Sequence, residues 1–398
     1  MNNTSQPLPD SLQSVKIIRI STAGLFQHII LKGQLKYLSA YYDMVALSAP
    51  DKELEIVGQR EGVRTIGVPM EREIAPFKDI AALFRLWRVF RREKPLIIHA
   101  STPKGSLLAM IAGYFAGVPV RLLTPTGYRF VGLSGMKRKI VIALEKLTCR
   151  FATDICPESN GVIKTIKEYN ITARPVQLIG KGSVNGVDTF FYNKEKLDSV
   201  KLADIRGSVG YDPANRYLLF VGRVVKDKGI SELLRAFSQL SENIRLIVLG
   251  PVEMSDPVQT DVLEILKTDP RIIHIDWTDE VRYYMAIADI LIHPSYREGL
   301  PNVLLQAGAM ECPVVCSDIN GNSDIVTDHE TGVLFGPRDE KELLEKVQWA
   351  LAHPEEMKEY AQNLRNKVTA DYDQRVVQEA LRSKYAELAG RLSKGNKG

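Results

Sequence analysis

Short apolar runs alternate with longer stretches whose apolar positions recur every three or four residues, along nearly all of the 398-residue chain. The runs predict strands at 15–20, 44–47, 64–68, 96–99, 120–123, 154–156 and 176–179 in the first half. In the second half they predict strands at 217–221, 244–249, 271–275, 290–293, 314–316 and 332–335. Helices are expected between them, at 27–42, 77–92, 137–151, 230–240, 257–267, 302–310 and 340–352. Near-continuous apolar strands separated by helices suit a parallel sheet covered on both faces, because neither face of such a strand meets water. The grammar occurs twice, which predicts an α/β protein of two doubly wound domains. The stretch GKGSVNGVD (180–188) has three glycines and no apolar period, and reads as the linker between them. The expected domains are 1–185 and 186–372, followed by a helix in 373–398. Val376, Val377, Ala380, Leu381, Tyr385 and Leu388 form one stripe on that helix, which is expected to pack back on the first domain. Ligands of open parallel sheets bind beyond the C-terminal strand ends, so chemistry is expected on those loops, in a cleft between the two domains.

Composition narrows the class. A 45% hydrophobic and 25% charged sequence excludes disorder, collagen and coiled coil. No apolar run reaches the roughly 18–20 residues of a membrane span. The longest, 107–120, reads as a buried helix running into a strand. The first residues, MNNTSQPLPDSLQSVK, lack the basic and apolar parts of a signal peptide, so a cytoplasmic location is expected. Cys149, Cys156, Cys312 and Cys316 form no CxxC and have no histidine cluster beside them; they read as buried reduced thiols, with zinc disfavoured.

Charge is uneven. Residues 1–185 carry 26 Lys and Arg against 14 Asp and Glu, a net +12, and the remainder carries −8. A basic front half suits an anionic partner: a phosphate-bearing substrate, an anionic membrane surface or nucleic acid. Nucleic acid is disfavoured, because the chain has no zinc finger, no RNA-recognition aromatic motif and no long basic run. The helix at 77–92 has Ile80, Leu83, Phe84, Trp87 and Phe90 on one stripe, with Arg85, Arg88, Arg91 and Arg92 around it. It reads equally as a membrane-surface helix and as an outer helix of the first domain. GLSGMKRK (132–139) adds a second basic loop in the same half.

Two motifs carry chemistry. Gly222-Arg223 follows the strand YLLFV, and Lys226, Asp227, Lys228 and Gly229 precede the helix ISELLRAF. A glycine turn before a helix N-terminus favours phosphate, with Arg223 as a planar fork and Lys228 as a point charge. The plainer reading is a solvated basic turn. In HPSYREGLPNVLLQAGAM, Glu298 and Gly299 follow a strand, and Gln306 lies eight residues on. A carboxylate and an amide so placed can grip hydroxyls of a sugar and a ribose; the plainer reading of Glu298 is a charge at a helix terminus. Gly24, in ISTAGLF, marks the first strand–helix turn without a GxGxxG, which disfavours NAD, and the absence of GxxxxGK[ST] disfavours a P-loop ATPase. Asp371-Tyr372-Asp373 has a metal-holding spacing but joins two surface helices, and reads as a solvated turn and cap. His99 and His293 end strands, where each either meets backbone or faces the site.

GRVVKDKGISELLRAF, PSYREGLPNVLLQAGAMECPVVCSDINGNSDIV and NGVD together resemble the retaining glycosyltransferases of family 4, particularly those of bacterial capsule and lipid-linked oligosaccharide synthesis. The resemblance runs from Val15 over nearly the whole chain and is more specific in the back half. It implies the GT-B fold and a nucleotide-diphosphate sugar, UDP by family likeness, held mainly by the second domain. Arg223 and Lys228 match the family's diphosphate-binding pair, and Glu298 its sugar-contacting glutamate; these three are the expected catalytic residues. The implied donor site adds Gly24, Gly222, Gly299, Leu300, Asn302 and Gln306. The implied acceptor site comprises Thr126, Gly127, Arg129, Lys137 and Arg138. No metal or other cofactor is implied. The acceptor would be a glycan on a lipid diphosphate, and the enzyme peripheral on the inner face of the membrane.

Two positions depart from the family. Gln306 stands where a second glutamate is usual, so a charge-assisted bond to ribose is lost. Thr126-Gly127 replaces a His-Gly, which removes a side chain expected at the donor sugar. Transfer would proceed with retention, the acceptor attacking the face the diphosphate leaves. Two other readings share the architecture: a sugar-nucleotide 2-epimerase, for which no acid–base carboxylate set is evident, and a non-catalytic nucleotide-sugar-binding partner.

Overall fold

The computed structural model describes residues 14–395 apart from Arg72, Ile74 and Ser255, so the first thirteen residues and the end of the SKGNKG tail lie outside the described residues. The chain divides into two units, one ending at Asn185 and completed by the residues from Arg375 onward, the other Gly186–Gln374.

The first unit runs β1 (Lys16–Ile20), α1 (Gly24–Ile29), α2 (Gln34–Ser39), β2 (Asp43–Ser48), α3 (Lys52–Glu61), β3 (Arg64–Gly67), α4 (Pro76–Glu93), β4 (Ile97–Ala100), α5 (Pro103–Ala116), β5 (Val120–Leu123), α6 (Gly135–Phe151), β6 (Asp154–Ile155) and α7 (Asn160–Glu168). The second runs α8 (Ser199–Ser208), β7 (Arg216–Val221), α9 (Ile230–Ser238), β8 (Ile244–Leu249), α10 (Thr260–Thr268), β9 (Ile272–Ile275), α11 (Val281–Ile287), β10 (Ile290–His293), α12 (Asn302–Ala309), β11 (Val314–Ser317), α13 (Asn322–Ile325), β12 (Val333–Phe335), α14 (Glu340–Ala352) and α15 (Pro354–Asp371). A final helix, α16 (Gln374–Gly395), returns to the first unit.

Each sheet is parallel throughout, in the orders β3-β2-β1-β4-β5-β6 and β12-β11-β10-β7-β8-β9. The order reverses between β1 and β4, and again between β7 and β10. These are the switch points at which loops diverge and leave a crevice. Alternate strand residues serve opposite layers. Ile18 and Ile20 pack with Leu86, Phe90, Met110 and Cys149 of α4–α6. Ile17 packs with Leu38, Val57, Leu381 and Tyr385 of α2, α3 and α16.

Four expectations are corrected. The strand at 176–179 reduces to a single bridge between Val176 and Ile155, since β6 beside it has only two residues and Pro175 brings no N–H. The helix at 27–42 splits at Gly33, whose φ of 79° no helix accommodates. Buried Glu61 there accepts from the N–H groups of Gly33 and Lys36 at 3.0 and 3.1 Å and restarts the helix. The break frees the carbonyls of Ile30 and Lys32, and the Asn185 amide donates to both, at 2.8 and 3.0 Å. The glycine-rich stretch at 180–188 is therefore no loose linker: Ser183, Val184 and Asn185 are buried and bonded. Finally, α4 buries Ala82, Leu86 and Phe90, whereas Ile80 and Phe84 of the expected stripe are exposed, as is Val376 on α16.

Candidate functional site

β7 and β10 lie side by side, so the loops leaving their C-terminal ends meet. After β7 come Gly222 and Arg223, then a 3₁₀ turn, Lys226–Lys228. Gly229 follows with φ 68°, and a Cβ there would stand 2.0 Å from the Pro294 carbonyl oxygen. Only glycine permits that approach, which sets the end of the turn against the loop after β10.

Across this contact the Lys228 ammonium lies 2.6 Å from Glu298 Oε1. Ser295 Oγ donates to the same oxygen at 2.7 Å, and His293 Nε2 stands 3.3 Å from it. Burial opposes ionisation of Glu298, yet Lys228 and then His293 outweigh it and hold the carboxyl well below its usual range. The result is an ionised carboxylate and a cation, both largely buried, at the crevice end of the sheet.

The Arg223 guanidinium is more exposed and donates to Glu253 Oε2 at 2.8 Å. Glu253 belongs to the loop after β8, which Gly250 brings close: a Cβ there would meet the Gly222 carbonyl at 2.0 Å. The expected cations thus share one loop but take different acidic partners. Asp227 pairs with Arg297, and Tyr296 donates to Glu232 at 2.7 Å, tying the two loops together.

Asn302 opens α12, and Gln306 Nε2 on that helix donates to the Tyr192 hydroxyl at 2.9 Å. The Leu300 side chain is buried in the core of the second unit, so only its backbone is left for a ligand. Gly299 presses its carbonyl to within 2.6 Å of where a Cβ on Gly321 would be.

The remaining expected residues sit in the first unit. The Gly24 N–H donates to Asp51 at 2.8 Å, and a Cβ on Gly24 would lie 2.2 Å from the same carboxylate, so no side chain fits there. Thr126 Oγ1 donates to the Ser101 carbonyl at 3.2 Å, and Gly127 takes φ 88°. Arg129 and Lys137 are exposed, while Arg138 stacks 5.0 Å over the Tyr169 ring and bonds its hydroxyl. Asp373 accepts from Thr189. His99 is buried and meets side chains: its nitrogens lie 2.7 Å from the Tyr385 hydroxyl and 2.8 Å from Thr124 Oγ1.

Sequence reasoning missed Glu253, Ser295 and Tyr192, and left the role of His293 open. The spacing of His293 and Ser295 before Glu298, at a strand end, was a usable signal. Glu253 and Tyr192 lie in other segments and gave none.

The Glycosyl transferase 4-like domain profile matches residues 36–182, and Glycosyl transferases group 1 matches 203–367. The capsular polysaccharide biosynthesis glycosyltransferase CapM of Staphylococcus aureus is 30% identical over 363 residues, 89% of this chain and 93% of that protein. An Escherichia coli UDP-Gal:α-D-GlcNAc-diphosphoundecaprenol α-1,3-galactosyltransferase is 25% identical over 287 residues, 69% of this chain and 71% of that protein. Among solved structures, Anabaena Alr3699/HepE with UDP and glucose superposes with a TM-score of 0.78 at 15% identity, covering 94% of this chain and all of that one. Two parallel six-stranded sheets in this order, with both profiles in sequence and a full-length relative, give the conclusion that the chain belongs to the family-4 glycosyltransferases of the GT-B fold.

Proposed function

We propose that the protein moves a sugar from a UDP-sugar to a glycan acceptor carried on a lipid diphosphate, with retention at the anomeric carbon, in capsule or related polysaccharide synthesis. The observation that carries this is the Lys228–Glu298 pair at the adjoining ends of β7 and β10, with Arg223 on the same loop as Lys228. Lys228 and Arg223 take the diphosphate, and Glu298 accepts from hydroxyls of the transferred sugar. Gln306, oriented by Tyr192, offers its amide oxygen to the ribose.

The chemistry follows from the charges. As the bond between anomeric carbon and diphosphate oxygen lengthens, negative charge grows on the leaving group. Arg223 and Lys228, carried on one loop, meet that charge with their cationic donors. The acceptor hydroxyl enters on the same face and passes its proton to the departing diphosphate oxygen. Two fixed cations supply the charge a divalent metal would otherwise bring. Relatives named for capsule synthesis and for a diphosphoundecaprenol acceptor support the pathway and acceptor class.

The test is a transfer assay with a panel of UDP-sugars and a lipid-diphosphate glycan, with the product anomer read by NMR. The expected result is one productive donor, an α-linked product from an α-donor, and turnover unaffected by EDTA. Inverted product, or a sugar nucleotide altered without acceptor, would overturn the proposal, the latter in favour of an epimerase.

A further inference from the structure

We infer that the second unit carries a separate binding site for a small soluble molecule with an apolar body and one anionic group, at the edge of its sheet opposite the donor loops. This site is independent of the transfer reaction proposed above.

Its place follows from the strands. Arg216 opens β7, Ile290 opens β10 and Pro313 stands just before β11. The three strands are neighbours and parallel, so their starts share one edge of the sheet. Arg223, Lys228 and Glu298 follow the other ends of β7 and β10. β7 has six residues and spans about 17 Å between the two edges. At the starting edge α14 ends at Ala352 and α15 begins with Pro354. Several side chains left to fill this angle are small: Ala288, Pro313, Ala350 and Pro354. A cavity of about 400 Å³ remains among them. That lies within the roughly 300–1,000 Å³ of small-molecule sites and far above the ~15 Å³ that one buried water needs.

The lining sets the chemistry. Ile290, Ala350 and Met357 give it an apolar floor, each 2% exposed and part of the second unit's core. Met357 is unbranched, so its thioether adapts to the outline of an apolar guest. Lys194, Arg216 and Lys358 also line the cavity, with Asp289 and Glu311. Both carboxylates already hold partners. Asp289 accepts from the Arg216 guanidinium at 2.8 Å and from the Tyr217 N–H at 2.7 Å. Glu311 lies 3.2 Å from the Arg365 guanidinium.

The two lysines are left. Lys194 donates to the Glu311 carbonyl, a neutral acceptor, at 3.1 Å. Glu311 takes φ 49° after α12, the left-handed backbone common at a helix end. Lys358 is exposed on α15 and has no ion pair among the described residues. Glu355, Glu356 and Glu359 of the same helix do not line the cavity. Two ammonium groups beside an apolar floor, with the neighbouring acids neutralised, select an anion on an apolar body. An ammonium is a point charge with rotatable donors, so a carboxylate, a sulfonate or a phosphate ester fits equally.

The test is fluorescence titration of the full-length protein with 8-anilinonaphthalene-1-sulfonate, an aromatic monoanion, with and without UDP. N-phenyl-1-naphthylamine, the same body without the sulfonate, is the neutral control. Carbon-13 labelling of the methionine methyl groups reports the place, the Met357 signal being assigned by its loss in Met357→Leu. The expected result is saturable binding of the sulfonate, equal with and without UDP and about tenfold tighter than that of the neutral control, with the Met357 signal shifting as the fluorescence saturates. Lys194→Glu/Lys358→Glu reverses the charge, and Ala288→Leu fills the cavity; each is expected to weaken binding about tenfold or more. Melting curves check that the variants are folded, and the charge variant, at two exposed positions, decides if the filled one is not. No saturable binding, a Met357 signal that stays still while fluorescence rises, or unchanged binding by the charge variant would overturn the inference. Displacement by UDP, or a neutral control that binds as tightly, would overturn it too.

Discussion

Glu298 shows how much one residue depends on its neighbours. Its carboxyl is largely buried, and stays ionised because Lys228, Ser295 and His293 converge on it. Replacing it with glutamine leaves the ammonium without its counter-charge, and breaking a buried pair this way costs about 3–5 kcal/mol. The sign with pH follows from the lowered carboxyl. The ionised pair stabilises the fold above the ordinary value of 4.5 and loses that stabilisation as pH falls toward the native value. Glu298→Gln is therefore expected to melt lower than wild type at pH 7, with the gap closing on acidification below that ordinary value; a gap constant with pH would contradict the pair. The sequence made Glu298, Lys228 and Arg223 legible because loop chemistry follows strand ends. It hid Glu253 and Tyr192, which lie in other segments of the chain, and it could not show that the Leu300 side chain is buried, leaving its backbone to face a ligand.

At the scale of elements, most strand and helix positions were legible, because apolar period and length separate them well. The misses have local causes. Gly33 breaks an apolar pattern that otherwise reads as one helix, and the left-handed backbone it allows is invisible to periodicity. Residues 176–179 look like a strand, but an edge partner of two residues cannot extend a ladder. The return of α16 was legible from its stripe, though not the polar seam that locks it. Tyr385 meets His99, which burial keeps neutral, and nearby Arg19 is fully buried with bonds to Gln34, the His99 carbonyl and Ser101. Tyr385→Phe removes one buried hydrogen bond and strands a histidine nitrogen, a cost of about 1–3 kcal/mol. Urea unfolding followed by circular dichroism should show that loss; unchanged stability would mean that the Tyr385–His99 bond contributes nothing to holding the helix.

For the whole molecule, the uneven charge of the sequence takes on a definite form. Part of the +12 of residues 1–185 lies on exposed Lys and Arg of α4 and α6, beside outward apolar stripes. The second unit is acidic overall, yet it concentrates Arg223 and Lys228 on one loop at its switch point. Net charge alone points to the first unit for an anionic ligand; loop position adds these two cations in the second. The account therefore turns on whether those two cations bind a nucleoside diphosphate. Calorimetric titration of UDP into wild type, Arg223→Ala and Lys228→Met measures this directly. The prediction is saturable binding by the wild type, weakened about tenfold or more in each variant, as the loss of a charge-assisted hydrogen bond requires. UDP affinity equal in all three proteins would contradict it.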